Sequence, residues 1–310
     1  MGVFVFLPLV LPLTAWPIAR LAERRLHPRS AARLLTGVGV VLAVCSTLCL
    51  ALIMVVGTAQ LPGNPLPDGW SDPEVRAAVP YDEVVGKAAI PALALVAVEC
   101  CRTVWRHLRV RRRAERALQG MPPSQVAVLP DGSAYAYALP GRGQGRIVVS
   151  TAMLACLEPR EREALFAHER THLEAGHHRF LLAAQLAARA NPFLHPLKTA
   201  IAFSAERWAD EDAAHAVGDR RLMARTVGKA ALVSRPAPAR TLAGFAAPGP
   251  VPRRVQALLC PAPDARVWPP GHTAVGLAVW TAAAGATASA LSSANATVAL
   301  FLVLHAATPL

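Results

Sequence analysis

Ala167-His168-Glu169-Arg170-Thr171-His172 is the stretch around which this chain is organised, because it contains the pattern H-E-x-x-H. A proline followed by acidic residues, typical of a first helical turn, predicts a helix from about Pro159 to Gly176. Residues four apart share one helix face, so His168 and His172 could place two imidazole nitrogens on one metal ion. Glu169 would then lie beside the open position of that ion, where a carboxylate can take a proton from a bound water.

Such a site needs a third ligand, and two residues compete for that role. Glu206 lies on a second predicted helix that starts near Ser204, and a His, His, Glu set leaves the fourth tetrahedral position for water. Asp210, four residues later on the same face, could accept the other ring N–H of a ligand histidine. His178 is the rival, where the longer pattern H-E-x-x-H-x-x-G-x-x-H would place a third histidine. That pattern requires its glycine one residue earlier than Gly176, so Glu206 is favoured and His178 stays open.

The segments His168–His172 and Glu206–Asp210 combine H-E-x-x-H with E-x-x-A-D. This combination resembles the gluzincin membrane metallopeptidases, most closely the BlaR/MecR-type peptidases and their short actinobacterial members without a sensor domain. Ser133–Ala138 and Gly145–Ser150 resemble the two strands before the active helix in that family and in the related prenyl-protease and heat-shock membrane proteases. Pro252–Val255 resembles the segment that closes the domain. The resemblance runs from about residue 126 to residue 259.

The resemblance implies a mainly α fold with a small β-sheet, in which multi-pass membrane helices carry a zincin-like α+β metallopeptidase domain. It also implies Zn²⁺ as cofactor, peptide-bond hydrolysis and a protein or peptide substrate, such as a regulatory protein. His168, His172 and Glu206 would be the metal ligands, Glu169 the catalytic base, and Asp210 a support for a ligand histidine. The alternative is a catalytically silent signalling or scaffold protein in the membrane with a structural metal site.

Two arginines and three strands add to the predicted active site. Arg253 or Arg254 could stabilise the oxyanion that forms during hydrolysis, although a solvated basic loop in the proline-rich stretch 246–254 is the favoured interpretation for each. Strands are predicted at residues 126–129, 134–138 and 146–150. An open strand edge beside the metal helix could pair with an extended peptide, or the strands could only cover the core.

The composition predicts a membrane protein. The chain has 310 residues, of which 54% are hydrophobic, and a net charge of +12. We expect residues 1–117 to form three membrane helices (about 3–20, 34–59 and 86–105) with a basic segment after them. Residues 118–267 would form the metallopeptidase domain and residues 268–310 a C-terminal membrane segment. In this tail we expect one span from about Thr273 to Ser292 followed by an amphipathic or partly inserted end, and two short spans are the alternative.

Charge asymmetry predicts the orientation in the membrane. Basic residues follow the first and third apolar runs, whereas Leu61–Lys87 is rich in acids. By the positive-inside rule the catalytic domain would face the cytoplasm of a cell-membrane protein. The arginines between Arg102 and Arg116 would bind anionic headgroups of the bilayer rather than nucleic acid. The sequence does not determine the oligomeric state.

Overall fold

The computed structural model describes residues 5–64, 66–73, 75, 82–120, 122, 124–141, 145–234, 250–263 and 268–308. Over these residues the chain is mainly helical with one small sheet, as predicted. In chain order the elements are α1 (Leu7–Val10), α2 (Ala15–Arg25), α3 (Pro28–Ala59), α4 (Asp82–Ala117), β1 (Val126–Leu129), β2 (Ala136–Leu139), β3 (Arg146–Ser150), α5 (Thr151–Cys156), α6 (Pro159–Glu174), α7 (His177–Ala190), α8 (His195–Val217), α9 (Arg220–Val233), α10 (Val251–Leu259) and α11 (Ala274–Ala306).

Three of these helices are long and apolar enough to cross a membrane: Pro28–Ala59, Val84–Ala117 and Ala274–Ala306. Helices α3 and α4 approach closely where Gly57 faces Gly86, since a Cβ added at Gly57 would overlap the backbone of Gly86. Small residues of this kind let apolar helices pack backbone against backbone. The three helices indicate that the protein associates with a membrane.

The first apolar run does not form one continuous span. Prolines divide it into α1, a 3-10 turn (Leu11–Thr14) and α2, none of which is long enough to cross a membrane alone. The run nevertheless follows the length of α3. Val5 belongs to the same apolar cluster as Ile53, whereas Ala22 belongs to the same cluster as Leu35, near the other end of that helix.

The C-terminal tail also differs from the prediction, because α11 continues to Ala306 without the expected break near Ser292. The small polar side chains of α11 form hydrogen bonds with backbone carbonyls of the same helix. Ser293 donates a hydrogen bond to the carbonyl of Ser289, and Thr297 donates one to the carbonyl of Ser293. Because these hydroxyls find backbone acceptors four residues earlier, they do not end the helix. The alternative of two short spans is therefore also not what the structure shows.

The sheet has the strand order β1-β3-β2. Strand β3 pairs parallel with β1 and antiparallel with β2, with Tyr137 opposite Val148 and Ala138 opposite Ile147. Strand β2 forms one edge of the described sheet and packs against α6. The second predicted strand begins later than expected, at Ala136, with an isolated bridge between Ala134 and Ser234 before it.

Alanine-rich surfaces bring helices α6, α8 and α9 together. Ala164 and Ala167 of α6 pack in one cluster with Ala213 of α8 and Met223 of α9. Because alanine side chains are short, α6 and α8 come close enough for their polar side chains to meet. Helix α8 begins at His195, well before the predicted start near Ser204.

The stretch predicted to be irregular contains helix α10. Residues 246–249 lie outside the described residues, but the chain is helical from Val251, with Pro252 in the first turn. Proline suits that position because its missing N–H would have no partner there and its φ is already helical. Arg254 is consequently carried on a rigid element, and it is buried.

Candidate metal centre

The first turn of α6 fixes where the helix begins. The backbone N–H of Glu158 donates to Oε2 of Glu161, 2.9 Å away, and Pro159 occupies the first turn. The same Glu161 oxygen accepts a hydrogen bond from Nζ of Lys229 at 2.7 Å, which ties α6 to α9. Two and three turns further on, His168 and His172 face the same side, with their Nε2 atoms 3.1 Å apart.

Glu206 of α8 brings a carboxylate to this pair of nitrogens. Its Oε2 lies 3.6 Å from Nε2 of His168, and its Oε1 lies 3.5 Å from Nε2 of His172. Ligands at zinc-like bond lengths on a tetrahedron lie about 3.3 Å from one another, so these separations fit a four-coordinate Zn²⁺. His168, His172 and Glu206 form the group of described residues that could hold a metal ion.

Asp210 and Arg254 surround this group. Nδ1 of His168 lies 3.1 Å from Oδ1 of Asp210, which is fully buried, although the ring N–H is not well aligned for a hydrogen bond. Arg254 donates from Nε and Nη2 to the two oxygens of Asp210 at 2.8 and 2.6 Å, and its Nη1 lies 2.8 Å from Oε2 of Glu206. The Arg254 guanidinium thus orients two carboxylates. One belongs to Glu206, a candidate ligand, and the other to Asp210, which lies beside the candidate ligand His168.

His177 completes this arrangement, and the sequence analysis missed it. It is only 1% exposed, and its Nδ1 lies 2.8 Å from Nδ1 of His172. Gly176 has a left-handed backbone conformation, with φ 66°, and connects α6 directly to α7. The chain therefore reverses at Gly176, and His177 packs against the last turn of α6. A glycine directly after a helix is the sequence signal that could have identified this reversal.

Burial and neighbouring charges set the protonation of the two histidines. Burial opposes a charge on His168, but contacts with Asp210 and Glu206 outweigh it and raise the pKa of His168 to about 10. Burial lowers the pKa of His172 to about 4. The site therefore favours one positive charge beside its carboxylates, which either a proton on His168 or a bound cation can supply.

The two carboxyl groups remain ionised despite their burial. Burial alone would raise the pKa of Glu206 and of Asp210, but the Arg254 guanidinium is the largest opposing influence and holds both pKa values below their ordinary range. A carboxylate that stays ionised is ready to bind a cation, whereas a protonated one is not.

Glu169 lies next to His168 in sequence and is 8% exposed. Burial raises the pKa of Glu169 to about 7, and the Glu206 carboxylate adds to this effect. His168, a hydrogen bond from the backbone N–H of Ala138, and Arg254 act in the opposite direction. A carboxylate with such a pKa can both accept and release a proton near neutral pH.

The two remaining candidates lie outside this centre. Arg253 points to the other side of α10, where its Nη2 contacts Oε2 of Glu23 at 2.9 Å and its guanidinium stacks on Phe203. His178 follows His177 on α7 but is not in the group that could hold a metal ion, and its charged neighbours are Arg179 and Arg111.

Residues 101–194 match the family model described as peptidase family M48. The matched segment covers less than a third of the chain and contains the H-E-x-x-H helix and His177, but it ends before Glu206, Asp210 and Arg254. Neither a curated protein nor a solved structure matches the chain significantly. The family match supports a metallopeptidase, and the group of two histidines and a glutamate could hold its metal ion.

Proposed function

We propose that this protein is a membrane-bound zinc-dependent endopeptidase. The observation that carries the proposal is the arrangement of His168, His172 and Glu206 at tetrahedral ligand spacing, with the buried Glu169 beside them. Zn²⁺, when bound, would polarise a substrate carbonyl and lower the pKa of a water molecule. A scaffold protein with a structural metal site has no need of a carboxylate at the position of Glu169.

Each side chain of the centre has a separate task in this proposal. Glu169 accepts a proton from the attacking water and returns it to the leaving amine, a cycle that suits its raised pKa. Asp210 orients the ring of His168, and His177 orients the ring of His172, each at the ring nitrogen that would not bind the metal. Because all three nitrogens of Arg254 are engaged by Glu206 and Asp210, we assign Arg254 to positioning these carboxylates rather than to binding an oxyanion.

The edge of β2 supports a peptide substrate. Ser150 of β3 donates its N–H to the carbonyl of Tyr135, and this sets the alternation of the antiparallel pair. Tyr137 therefore points its backbone groups towards β3, whereas Ala136 and Ala138 point theirs away from it. An extended peptide could pair with Ala136 and with the carbonyl of Ala138 and pass beside Glu169, which accepts a hydrogen bond from the N–H of Ala138.

Charge supports a cytoplasmic active site. Arg102, Arg106, Arg109, Arg111, Arg112, Arg113 and Arg116 lie on the last turns of α4. Ala114 of that helix packs in one cluster with Tyr135 and Val148, so the arginines lie at the metallopeptidase part. The positive-inside rule then favours the cytoplasm for this part and anionic headgroups for the arginines. A regulatory protein is the substrate favoured by the resemblance to BlaR/MecR-type peptidases.

A comparison of five proteins tests this function: the detergent-purified wild type, Glu169→Gln, Glu206→Ala, His178→Ala and the control Glu163→Gln. Glu163 is an exposed glutamate on the same helix as Glu169. We expect Glu169→Gln to keep zinc but lose cleavage of a casein or peptide pool, and Glu206→Ala to lose zinc. His178→Ala and Glu163→Gln should match the wild type. If the wild type binds no zinc, or cleaves no faster than Glu169→Gln, the endopeptidase proposal is wrong. Zinc binding without cleavage would favour the scaffold alternative.

A further inference from the structure

A polar cavity lies against a face of α8 next to the one that carries Glu206. Its volume is about 690 Å³, and it opens where the connection from α2 to α3 meets α8, α10 and the start of α11. Phe203, Ser204 and Arg207 contribute the α8 wall, one turn or less from the ligand Glu206. The lining includes Arg24, Arg25, Arg253 and Trp268 from the other elements. Nothing in the proposed peptide hydrolysis uses this cavity.

The cavity carries more positive charge than its own acids neutralise. Arg253 is paired with Glu23, and Nη2 of Arg207 is paired with Glu211 at 2.6 Å. Nε of Arg207 is buried and lacks a hydrogen-bond partner among the described residues. Arg24 and Arg25 are exposed, and they form no ion pair with any described residue. Arg24 and Arg25 therefore bring two positive charges to this cavity that no described acid pairs with.

The N-terminal ends of two membrane helices, α3 and α11, reinforce this charge. Helix α3 starts at Pro28 and α11 starts at Ala274, and Pro28, Thr273 and Val275 line the cavity. Because the N-terminal end of a helix carries a partial positive charge, both helices direct it towards this space. The cavity also lies at the level where two candidate spans begin, which is where lipid headgroups are found.

An apolar groove of about 200 Å³ continues from the cavity along the membrane helices. Leu26 and Val275 line both spaces. Beyond them the groove is formed by α2, α3 and α11, and its lining includes Pro17, Ile18, Leu34, Ala278 and Ala282. A positively charged cavity joined to an apolar groove is complementary to an anionic amphiphile, which has a charged headgroup and an apolar chain.

We propose that this pair of spaces binds an anionic phospholipid. The phosphate would occupy the cavity beside Arg24, Arg25 and Arg207, and an acyl chain would follow the groove between α2 and α11. A free phosphate ion shares the headgroup chemistry but would make no use of the groove. The site is distinct from the arginines of α4, because Arg24 and Arg25 lie on α2 and Arg207 lies on α8, and it does not depend on peptidase activity.

Lipid binding to the full-length protein in a neutral detergent tests the proposal. Native mass spectrometry would count bound molecules of dioctanoyl phosphatidylglycerol, of dioctanoyl phosphatidylcholine with the same chains, and of inorganic phosphate. We expect one phosphatidylglycerol per chain, with phosphatidylcholine at least about tenfold weaker because its headgroup carries no net charge. Inorganic phosphate should bind more weakly than phosphatidylglycerol, since it leaves the groove empty.

Two matched pairs of variants locate the binding site. Arg24→Gln/Arg25→Gln should weaken phosphatidylglycerol binding roughly 30-fold, as expected for two lost basic residues near a headgroup. Arg160→Gln/Arg221→Gln removes the same charge from exposed positions on α6 and α9 and should change phosphatidylglycerol binding about twofold or less. Ala278→Trp fills the groove and should weaken phosphatidylglycerol but not phosphate. Ala284→Trp, on an exposed face of α11, should affect neither ligand.

Three results would overturn the proposal. Equal binding of phosphatidylcholine and phosphatidylglycerol would show that charge does not select the ligand. Equal losses in the two double-arginine variants would show general surface attraction instead of a site. Phosphate binding as tight as that of phosphatidylglycerol, together with no effect of Ala278→Trp, would show an anion site without a lipid. Ala278→Trp leaves every arginine in place, so it tests the groove even if Arg24→Gln/Arg25→Gln does not fold.

Discussion

His177 contacts His172 at the ring nitrogen that faces away from Glu206, with the Nδ1 atoms of the two histidines 2.8 Å apart. One of two facing nitrogens must carry a proton and the other must accept it. Burial lowers the pKa of His177 to about 2, so His177 is neutral and can be the acceptor. Nδ1 of His172 would then carry the proton, and this leaves Nε2 of His172 with a free lone pair for a metal ion.

Replacement of His177 should therefore weaken metal binding without touching a ligand. We expect His177→Phe to reduce zinc affinity by about 10- to 100-fold, the usual effect of losing a group that orients a ligand histidine. Competition with a chromophoric chelator measures this affinity. His178→Phe is the matched control, because His178 is outside the candidate metal group. The zinc affinity of His178→Phe should equal that of the wild type. Equal zinc affinity in His177→Phe and the wild type would refute the orienting role.

Arg254 and Arg253 are adjacent in sequence but should differ greatly in their effect on stability. Arg254 is buried between Glu206 and Asp210, whereas the side chain of Arg253 is 49% exposed and contacts Glu23. Arg254→Met would leave two buried carboxylates without their cation, a loss that typically costs about 3–5 kcal/mol. Arg253→Met should cost less than about 1 kcal/mol, as for other exposed ion pairs.

Thermal unfolding of the two variants in detergent measures this difference. We expect the midpoint of Arg254→Met to fall by roughly 10 °C and that of Arg253→Met by only a few degrees. Similar midpoints for the two variants would mean that the carboxylates do not depend on Arg254.

The sequence predicted the parts of the centre that depend on local spacing. His168 and His172 lie on one face because a helix of 3.6 residues per turn places them there, and strands β1 and β3 have the predicted bounds. The roles of His177 and Arg254 depended on long-range geometry instead. His177 reaches His172 only through the left-handed turn at Gly176, and Arg254 reaches Asp210 only because α10 packs on α8 and α9. Composition alone had suggested an irregular segment there.

The outer edge of β2 gives a test of substrate binding that leaves the metal centre intact. The N–H of Ala136 points away from β3, so Ala136→Pro removes a donor that the sheet does not use. If an extended substrate pairs with this edge, kcat/KM for peptide cleavage should fall about tenfold, as for one lost backbone hydrogen bond or slightly more, with zinc content unchanged. Ala136→Gly keeps the N–H and should cleave peptides at close to the wild-type rate. Cleavage by Ala136→Pro at that same rate would exclude pairing at this position.

Glu161, in the first turn of α6, should make the stability of the protein depend on pH. Glu161 is buried, and burial alone would raise its pKa, but Lys229 and the backbone N–H of Glu158 outweigh burial and lower the pKa of Glu161 below its ordinary value of 4.5. The folded state thus binds this proton less tightly than the unfolded state does. The ionised carboxylate consequently stabilises the fold above about pH 4.5, and this contribution disappears as the pH falls through the lowered pKa.

Glu161→Gln keeps the shape of the side chain but removes its charge. At pH 7 we expect its thermal midpoint to lie about 2–4 °C below that of the wild type, the effect of losing one partly exposed ion pair with Lys229. The two midpoints should converge as the pH is lowered below 4.5, because the wild-type carboxyl group then becomes neutral as well. Glu163→Gln, at an exposed position two residues along, should follow the wild type throughout. A gap between Glu161→Gln and the wild type that stays constant from pH 7 to pH 3 would show that the charge of Glu161 does not stabilise this helix.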